Sequence, residues 1–306
     1  MAAIAFIFHG RIKNRESEFS RLRNTFSNHQ LKFYTTEKAG HSVELAEQAI
    51  HEGSTHIICA GGDGSLNEVA NGVMITLNRL SEEQKAKIRV GVLPMGTGND
   101  FVKTVKSPLD AEGLKRLIDA DSYKHIDLGW TEYHTQTGEK KQRYFINITD
   151  VGMGGVVAER LSRYSKWMGA QLTYQRAILS TLITYKHQPI KSKADTFTYE
   201  GSIMNFIMAN GKYFGSGLGI APDAEVTDGK LSIVILGEIS LLDYIKNLGT
   251  VKKCEKLVHP ELEYKACKEV TIDSPAGPLA IDMDGEFIGY SPMTVKVVSA
   301  AIRFIC

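Results

Sequence analysis

The sequence predicts an α/β chain: an N-terminal α/β domain built on a parallel sheet, then a β-rich, sandwich-like domain. Two loops carry the first half of that prediction. A short apolar run, His56–Ala60, enters Gly61-Gly62-Asp63-Gly64-Ser65, after which Leu66, Val69, Ala70 and Val73 recur at helical spacing. One unit later Ile88–Leu93 enters Pro94-Met95-Gly96-Thr97-Gly98-Asn99-Asp100, with a helix expected from near Phe101. The third observation is a change of texture beyond Gly129, where short strand-like runs separated by Gly, Pro and Asp turns follow one another. The domains are therefore drawn at 1–128 and 129–289.

In chain order, Ala2–Phe8 reads as the first strand and His9–Lys13 as the turn after it. Phe19, Leu22 and Phe26 space a crossover helix, Leu31–Tyr34 makes the next strand, and a helix follows over Val43–His51. Ser42 or Thr36 is expected to cap that helix, unless Thr36 faces a ligand. Leu114, Leu117 and Ile118 mark another helix, and Ser122–Leu128 leads out of the first domain. Strands are expected at Gln142–Ile148, Thr196–Tyr199, Ser202–Ala209, Lys230–Leu236, Glu269–Ile272, Leu279–Met283 and Thr294–Val298. One helical stretch, Leu161–Tyr185, interrupts them. It reads either as a helix packed across the β domain or as one whose Trp167 and Met168, beside Arg163 and Lys166, meet a membrane interface.

Composition narrows the classes. At 306 residues the chain is long enough for two domains with separate cores. Lys and Arg number 36 against 35 Asp and Glu, so no nucleic-acid partner held by bulk charge is expected. Cys59, Cys254, Cys267 and Cys306 show no C-x-x-C spacing, which favours reduced thiols and a cytoplasmic setting. The apolar N-terminal run is too short for a signal peptide, and no run reaches the length of a membrane-spanning helix. Any membrane contact is expected to be peripheral.

The chemistry sits in the glycine loops. A strand, a glycine turn and a helix N-terminus converge backbone N–H groups on an anion. Gly61, Gly62 and Gly64 allow close backbone approach, and Ser65 is placed to cap the helix and donate its hydroxyl. Asp63 is the odd member, because a carboxylate in a phosphate cradle implies an intervening cation such as Mg²⁺. A plain tight turn is the competing reading of either loop alone. Two of them, at the ends of neighbouring parallel strands, would face one crevice. Further on, Ile281–Phe287 alternates strictly, so that Asp282, Asp284 and Glu286 are expected on the same side of one strand, the last two about 7 Å apart. Neither a G-x-x-x-x-G-K-[ST] loop nor a G-x-G-x-x-G turn is present.

Gly61–Val69 followed by Pro94–Phe101 resembles the nucleotide-binding signature of the diacylglycerol kinase and sphingosine kinase family of lipid kinases, in particular its soluble bacterial branch. The likeness continues, in family order, through Asn210–Gly217, Ala221–Ala224, Thr227–Leu231 and Asp284–Glu286. The resemblance implies ATP as phosphoryl donor, with Thr36, Gly61, Gly62, Asp63, Gly64, Ser65, Leu66, Asn67, Thr97 and Asn99 at the nucleotide. It implies Mg²⁺ held by Asp228 with the carbonyls of Glu225 and Lys230; a plain Asp-Gly turn is the alternative. It places the catalytic base in Asp284-Gly285-Glu286 without separating the roles of the two acids; of the two, Glu286 is taken as the base and Asp284 as the alternative. It lets the final strand, about 290–306, return to the first domain. The acceptor it implies is a lipid alcohol, diacylglycerol first. A sphingoid base, another lipid alcohol, a soluble acceptor such as NAD, or a non-catalytic lipid- or nucleotide-binding role remain as alternatives. One departure stands out: His9-Gly10-Arg11 replaces the family's N-P-x-S-G turn.

Overall fold

The computed structural model describes residues 1–163, 178 and 180–306. Most of the helix expected over Leu161–Tyr185, including Trp167 and Met168, lies outside the described residues. Two compact units make up the chain, one of residues 1–128 with 299–306 and one of residues 129–298.

The first unit alternates strands and helices: β1 (Ala3–Phe8), α1 (Arg15–Thr25), β2 (Gln30–Thr35), α2 (His41–His51), β3 (His56–Gly61), α3 (Asp63–Leu77), α4 (Glu82–Lys85), β4 (Arg89–Pro94), α5 (Asp100–Val105) and α6 (Ala111–Asp119). The strands pair in parallel in the order β2-β1-β3-β4, and the C-terminal residues add to β4 in parallel through Phe304 opposite Val90. Period-two alternation decides which helices cover which face. Ile4, Phe6 and Phe8 of β1, with Ile58 and Ala60 of β3, pack on Leu22 of α1 and Phe26 at its C-cap and on Leu114 and Ile118 of α6. Ile57 and Cys59, equally buried, point the other way, where α2 and α3 contact β1 and β3. Because every strand runs the same way, the loops after β1, β2, β3 and β4 all leave from one end of the sheet.

The second unit begins within β5 (Lys124–His134), which pairs antiparallel with β6 (Lys140–Phe145). Then come β7 (Ile148–Gly152), α7 (Met153–Arg163), β8 (Gln188–Ala194), β9 (Thr198–Ile203), β10 (Asn205–Ala209), β11 (Leu231–Leu236), α8 (Leu241–Lys252), β12 (Leu262–Cys267), β13 (Glu269–Asp273), β14 (Ala280–Met283) and β15 (Glu286–Phe304). Strands run β12-β11-β10-β7-β14-β15, and β15 continues through β13 and β8 to β9. Residues from both arms of this path, among them Val151, Phe206, Met208, Ile233 and Ile281 on one and Ile190, Val270, Ile272 and Val295 on the other, close on a single core. That is sandwich-like packing. On the outer side of the first arm, Ile207, Val234 and Leu236 are covered by Ile239 and by Tyr244 and Val251 of α8.

Several expected boundaries move. The Gln142–Ile148 strand is two strands with a break at Ile146 and Asn147, and the Ser202–Ala209 run is likewise divided between β9 and β10. Strands β8 and β12 and helix α8 were not expected from the sequence.

Candidate active site

The helix after the first glycine loop starts three residues earlier than the periodicity suggests. Gly62 is the N-cap residue of α3 and makes no side-chain cap, and Asp63 is its first helical residue. Ser65 therefore stands inside the first turn and does not cap the helix. The two glycine loops touch. A Cβ added to Gly96 would sit 2.5 Å from the Gly62 Cα, so Gly96 closes a backbone-to-backbone approach that any side chain would wedge open. Met95 N–H donates to the Gly61 carbonyl at 2.9 Å.

Asp63 completes the stitch. Its Oδ2 accepts the Asp100 N–H and its Oδ1 the Phe101 N–H, both at 3.1 Å, so one carboxylate satisfies two backbone donors at the start of α5. Burial raises its proton affinity above the ordinary carboxylate value, and these two N–H groups work against that rise. Each carboxylate oxygen keeps a second lone pair, through which the expected Mg²⁺ would be organised directly or by a water. Each Asp63 oxygen already serves the second loop, so Asp63 is the residue that fixes the mutual position of the two phosphate-type loops.

The other expected nucleotide residues divide. Thr97 is exposed, while Gly62, Gly64, Ser65 and Asn99 are partly open. Asn99 adopts a left-handed conformation and donates its amide to the Gly96 carbonyl at 2.8 Å. Its Oδ1 is buried with no hydrogen-bond partner. Leu66 and Asn67, by contrast, are buried to 1 % exposure, and the Leu66 N–H is spent on the Gly62 carbonyl. Their side chains belong to the packing beneath the loop.

Thr36 caps no helix. Its Oγ1 accepts the Gly10 N–H at 2.9 Å, joining the loop after β2 to the loop after β1. Nor does Ser42 cap α2, whose N-cap is Gly40. Glu68 of α3 does that work instead, accepting the Gly40 N–H at 2.8 Å and the Ser42 N–H at 3.2 Å. Glu68 stands in the G-G-D-G-S-L-N-E stretch without having been singled out. An acid one helical turn beyond the loop is the signal that marks it.

In the second unit the expected strand Ile281–Phe287 is a hairpin. β14 ends at Met283, which pairs with Glu286, and Asp284 and Gly285 form the turn with φ of 49° and 85°. Two successive positive-φ residues are what Asp-Gly supplies in a type I′ turn. Asp284 and Glu286 are therefore not neighbours on one side of a strand, and they do different things. The Asp284 carboxylate accepts N–H bonds from Ile146, Asn147 and Ile148 at 2.8–3.1 Å. It holds the break between β6 and β7. Asn147 in turn donates its amide to the Tyr213 carbonyl, and Asn210 donates to the Ile146 carbonyl, which ties the glycine-rich stretch after β10 to the same point. Glu286 projects with its side chain 43 % exposed and pairs with Arg143 of β6 at 2.9 Å.

Beneath this hairpin lies a pair of acids: Asp282, expected from the alternation to share a face with Asp284 and Glu286, and Asp150, which the sequence does not single out. Asp150 on β7 stands directly opposite Asp282 on β14, so their side chains share a face. Asp150 is 0 % exposed, and neither of its oxygens meets a donor in full hydrogen-bond geometry. The Asn205 amide and the Gly155 N–H approach it, but burial outweighs them and pushes the carboxyl up to about 7. Burial, then the charges of Asp150 and Asp284, holds Asp282 well above the ordinary value. Asp282 keeps the Gly285 N–H as a backbone donor, and its Oδ1 is left without a partner.

Asp228 lies in an exposed turn, its Oδ1 accepting the Lys230 N–H at 3.0 Å. One carboxylate with neighbouring carbonyls is the donor chemistry a hard cation takes, and the second carboxylate oxygen is the part of the set left to offer. Among the described residues no three His, Cys, Asp or Glu side chains converge as metal ligands.

This geometry can be set beside known proteins. The family description "Diacylglycerol kinase catalytic domain" matches residues 6–131, and "YegS C-terminal NAD kinase beta sandwich-like domain" matches residues 148–306. The chain belongs to the diacylglycerol kinase and YegS family of lipid kinases. A diacylglycerol kinase of Staphylococcus haemolyticus is 28% identical over 260 residues, which is 85% of this chain and 73% of that protein. One of Staphylococcus aureus is 29% identical over 260 residues, 85% of this chain and 76% of that protein. Among solved structures, a diacylglycerol kinase from Bacillus anthracis aligns with a TM-score of 0.69 at 18% identity, over 99% of this chain and 96% of that one. Yeast NADH kinase complexed with NADH aligns with a TM-score of 0.54 at 10% identity, over 99% of this chain and 82% of that one. Both likenesses are of fold. The chain is a kinase of this family that uses ATP to phosphorylate an alcohol group.

Proposed function

We propose that this kinase transfers the γ-phosphoryl of ATP to the hydroxyl of a lipid alcohol, diacylglycerol first, and that it does so in the cytoplasm at a membrane surface. The observation that carries the reading is the stitched pair of glycine loops. Gly62 against Gly96, with Asp63 bonded across to Asp100 and Phe101, builds a backbone-lined cradle of the kind phosphates occupy at helix N-termini. Phosphoryl transfer asks the protein mainly for positioning and charge neutralisation, and a rigid cradle supplies positioning. Gly62, Gly64, Ser65, Thr97 and Asn99 line it. Glu286 is the proton acceptor in this reading, because it is accessible and held by a single ion pair, whereas Asp284 is committed to three backbone donors. Asp284 is then a positioning residue.

The acceptor is tested by radiolabel transfer from ATP to diacylglycerol, a sphingoid base, a monoacylglycerol and NAD. Labelled phosphatidic acid as the principal product supports the proposal. Label on NAD alone would replace it with a reading favoured by the likeness to yeast NADH kinase.

For Mg²⁺, the turn of Glu225, Asp228 and Lys230 is the proposed structural site, and the ion would supply charge that fixes the turn. Chelation with EDTA should lower the melting temperature by about 2–4 °C, and Asp228→Ala should do the same and be insensitive to EDTA. Equal melting temperatures with and without EDTA in the parent protein would leave only the Asp-Gly turn.

A further inference from the structure

Helix α8 turns an unusual side to water. Inward, Tyr244 and Val251 pack over β10 and β11. Outward, the exposed residues Leu242, Ile245, Lys246, Gly249, Lys252 and Lys253 fall at i, i+3, i+4, i+7, i+10 and i+11, one continuous stripe. Leu242 is 68% and Ile245 52% exposed, so two large aliphatic side chains stand next to one another in water. Three lysines share the stripe, and no carboxylate does. The one acid of the helix, Asp243, lies off it, capped into the first turn: its N–H donates to the Ser240 hydroxyl, which donates back to its Oδ2. Its approach to Lys246 is only 4.0 Å. Just beyond the helix, Val258 is fully exposed.

The composition of that stripe selects its partner. Protein–protein interfaces are depleted in lysine and rich in aromatic residues and arginine, none of which occur on it. Nucleic acid would have no use for the aliphatic pair. A bilayer uses both: aliphatic side chains enter the boundary of the acyl region, while lysine stems lie along it and carry their ammonium groups to lipid phosphates. We propose that the outer face of α8 docks on a membrane surface rich in anionic phospholipid. This rests on the lipid-acceptor reading above and extends it, since docking brings the enzyme to an acceptor that resides in the bilayer. It does not depend on Trp167 or Met168.

The full-length protein is sedimented with phosphatidylcholine vesicles, with and without phosphatidylglycerol, beside two variants of the exposed stripe. Leu242→Ser/Ile245→Ser should weaken partition to either vesicle by about tenfold or more. Lys246→Gln/Lys252→Gln/Lys253→Gln should abolish the preference for phosphatidylglycerol and most of the salt dependence. Both variants should phosphorylate a short-chain, monomeric diacylglycerol at the parent rate and melt at the parent temperature. Parent-like vesicle binding by both variants would overturn the proposal, as would a change of oligomeric state in place of a change in vesicle binding. If the parent binds vesicles through α8 yet labels no lipid, the docking surface stands and the acceptor assignment falls.

Discussion

Glu286→Gln should slow phosphoryl transfer by about 10²-fold or more and leave ATP binding near its original strength. Glutamine keeps the size of the side chain and can still bond to Arg143, so the hairpin should hold its shape; what it loses is the ability to take a proton. Glu286 opens β15 immediately after the two-residue turn, where its backbone is fixed by pairing with Met283 and its head group stays accessible. Asp284→Asn should behave differently. An asparagine amide would turn an N–H₂ towards part of a trio of backbone N–H donors, and leaving one of them unpaired costs about 1–3 kcal/mol. Its loss of rate should therefore come with a lower melting temperature, which Glu286→Gln should lack. Single-turnover transfer to a short-chain diacylglycerol, with melting curves alongside, separates the two. A rate loss confined to Asp284→Asn at unchanged stability would move the base to Asp284. Parent rates in both would make the hairpin scaffolding.

Asp150→Asn should stabilise the protein at alkaline pH, with a gain that grows between pH 5 and pH 7. In the folded chain the Asp150 carboxyl keeps its proton up to about 7, whereas unfolded it releases it near 3.9. The stability it contributes is thus fully present below about pH 4, declines as the pH rises towards 7, and is gone above that. At pH 8 an ionised Asp150 faces Asp282 across the strand pair, with Asp284 and Glu286 on the same hairpin, Tyr185 near Asp150, and Glu159 and Arg160 on the adjoining α7. Asparagine removes one charge and brings a donor to the orphaned Asp282 Oδ1. The gain at pH 8 should be of order 2–4 kcal/mol. Calorimetric melting from pH 5 to pH 8 checks it; parallel curves for the parent and the variant would mean that Asp150 does not titrate in that range.

What the sequence made legible was whatever punctuation marks. Gly61–Ser65 and Pro94–Asp100 lie between an apolar run and a helical one, and both loops are where they were expected. The strictly alternating Ile281–Phe287 misled, because a D-G pair between two short runs is itself a hairpin signal, and it outranks period-two alternation. β8 escaped because Ser192, not an aliphatic residue, fills the inward position after Ile190, so the pattern reads as polar. α8 escaped because its buried Tyr244 and Val251 share the segment with exposed Leu242 and Ile245, which blurs the apolar stripe. Asp150 could not be read at all. Within Ile148-Thr149-Asp150-Val151-Gly152 it looks like a solvent-facing strand residue, and only the strand opposite shows that it faces another acid. Leu66 and Asn67 show the converse limit: a motif names neighbours of a ligand loop without distinguishing residues that touch from residues that support.

The residues that complete the first unit's sheet come last in the sequence. Phe304 pairs with Val90, Arg303 donates to the Lys85 carbonyl across a separation of 218 residues, and Ala300 donates its N–H to Asp127. During synthesis β4 therefore leaves the ribosome as an open edge and stays one while the whole second unit is being made. An exposed parallel edge beside Val90 and Val92 is a template for other nascent chains, and closing it requires a contact of very high sequence separation. Closure of the sheet beneath the glycine loops is thereby coupled to synthesis of residues 299–306: a product truncated before them would hold all the glycines of the loops and still lack the strand that closes its sheet.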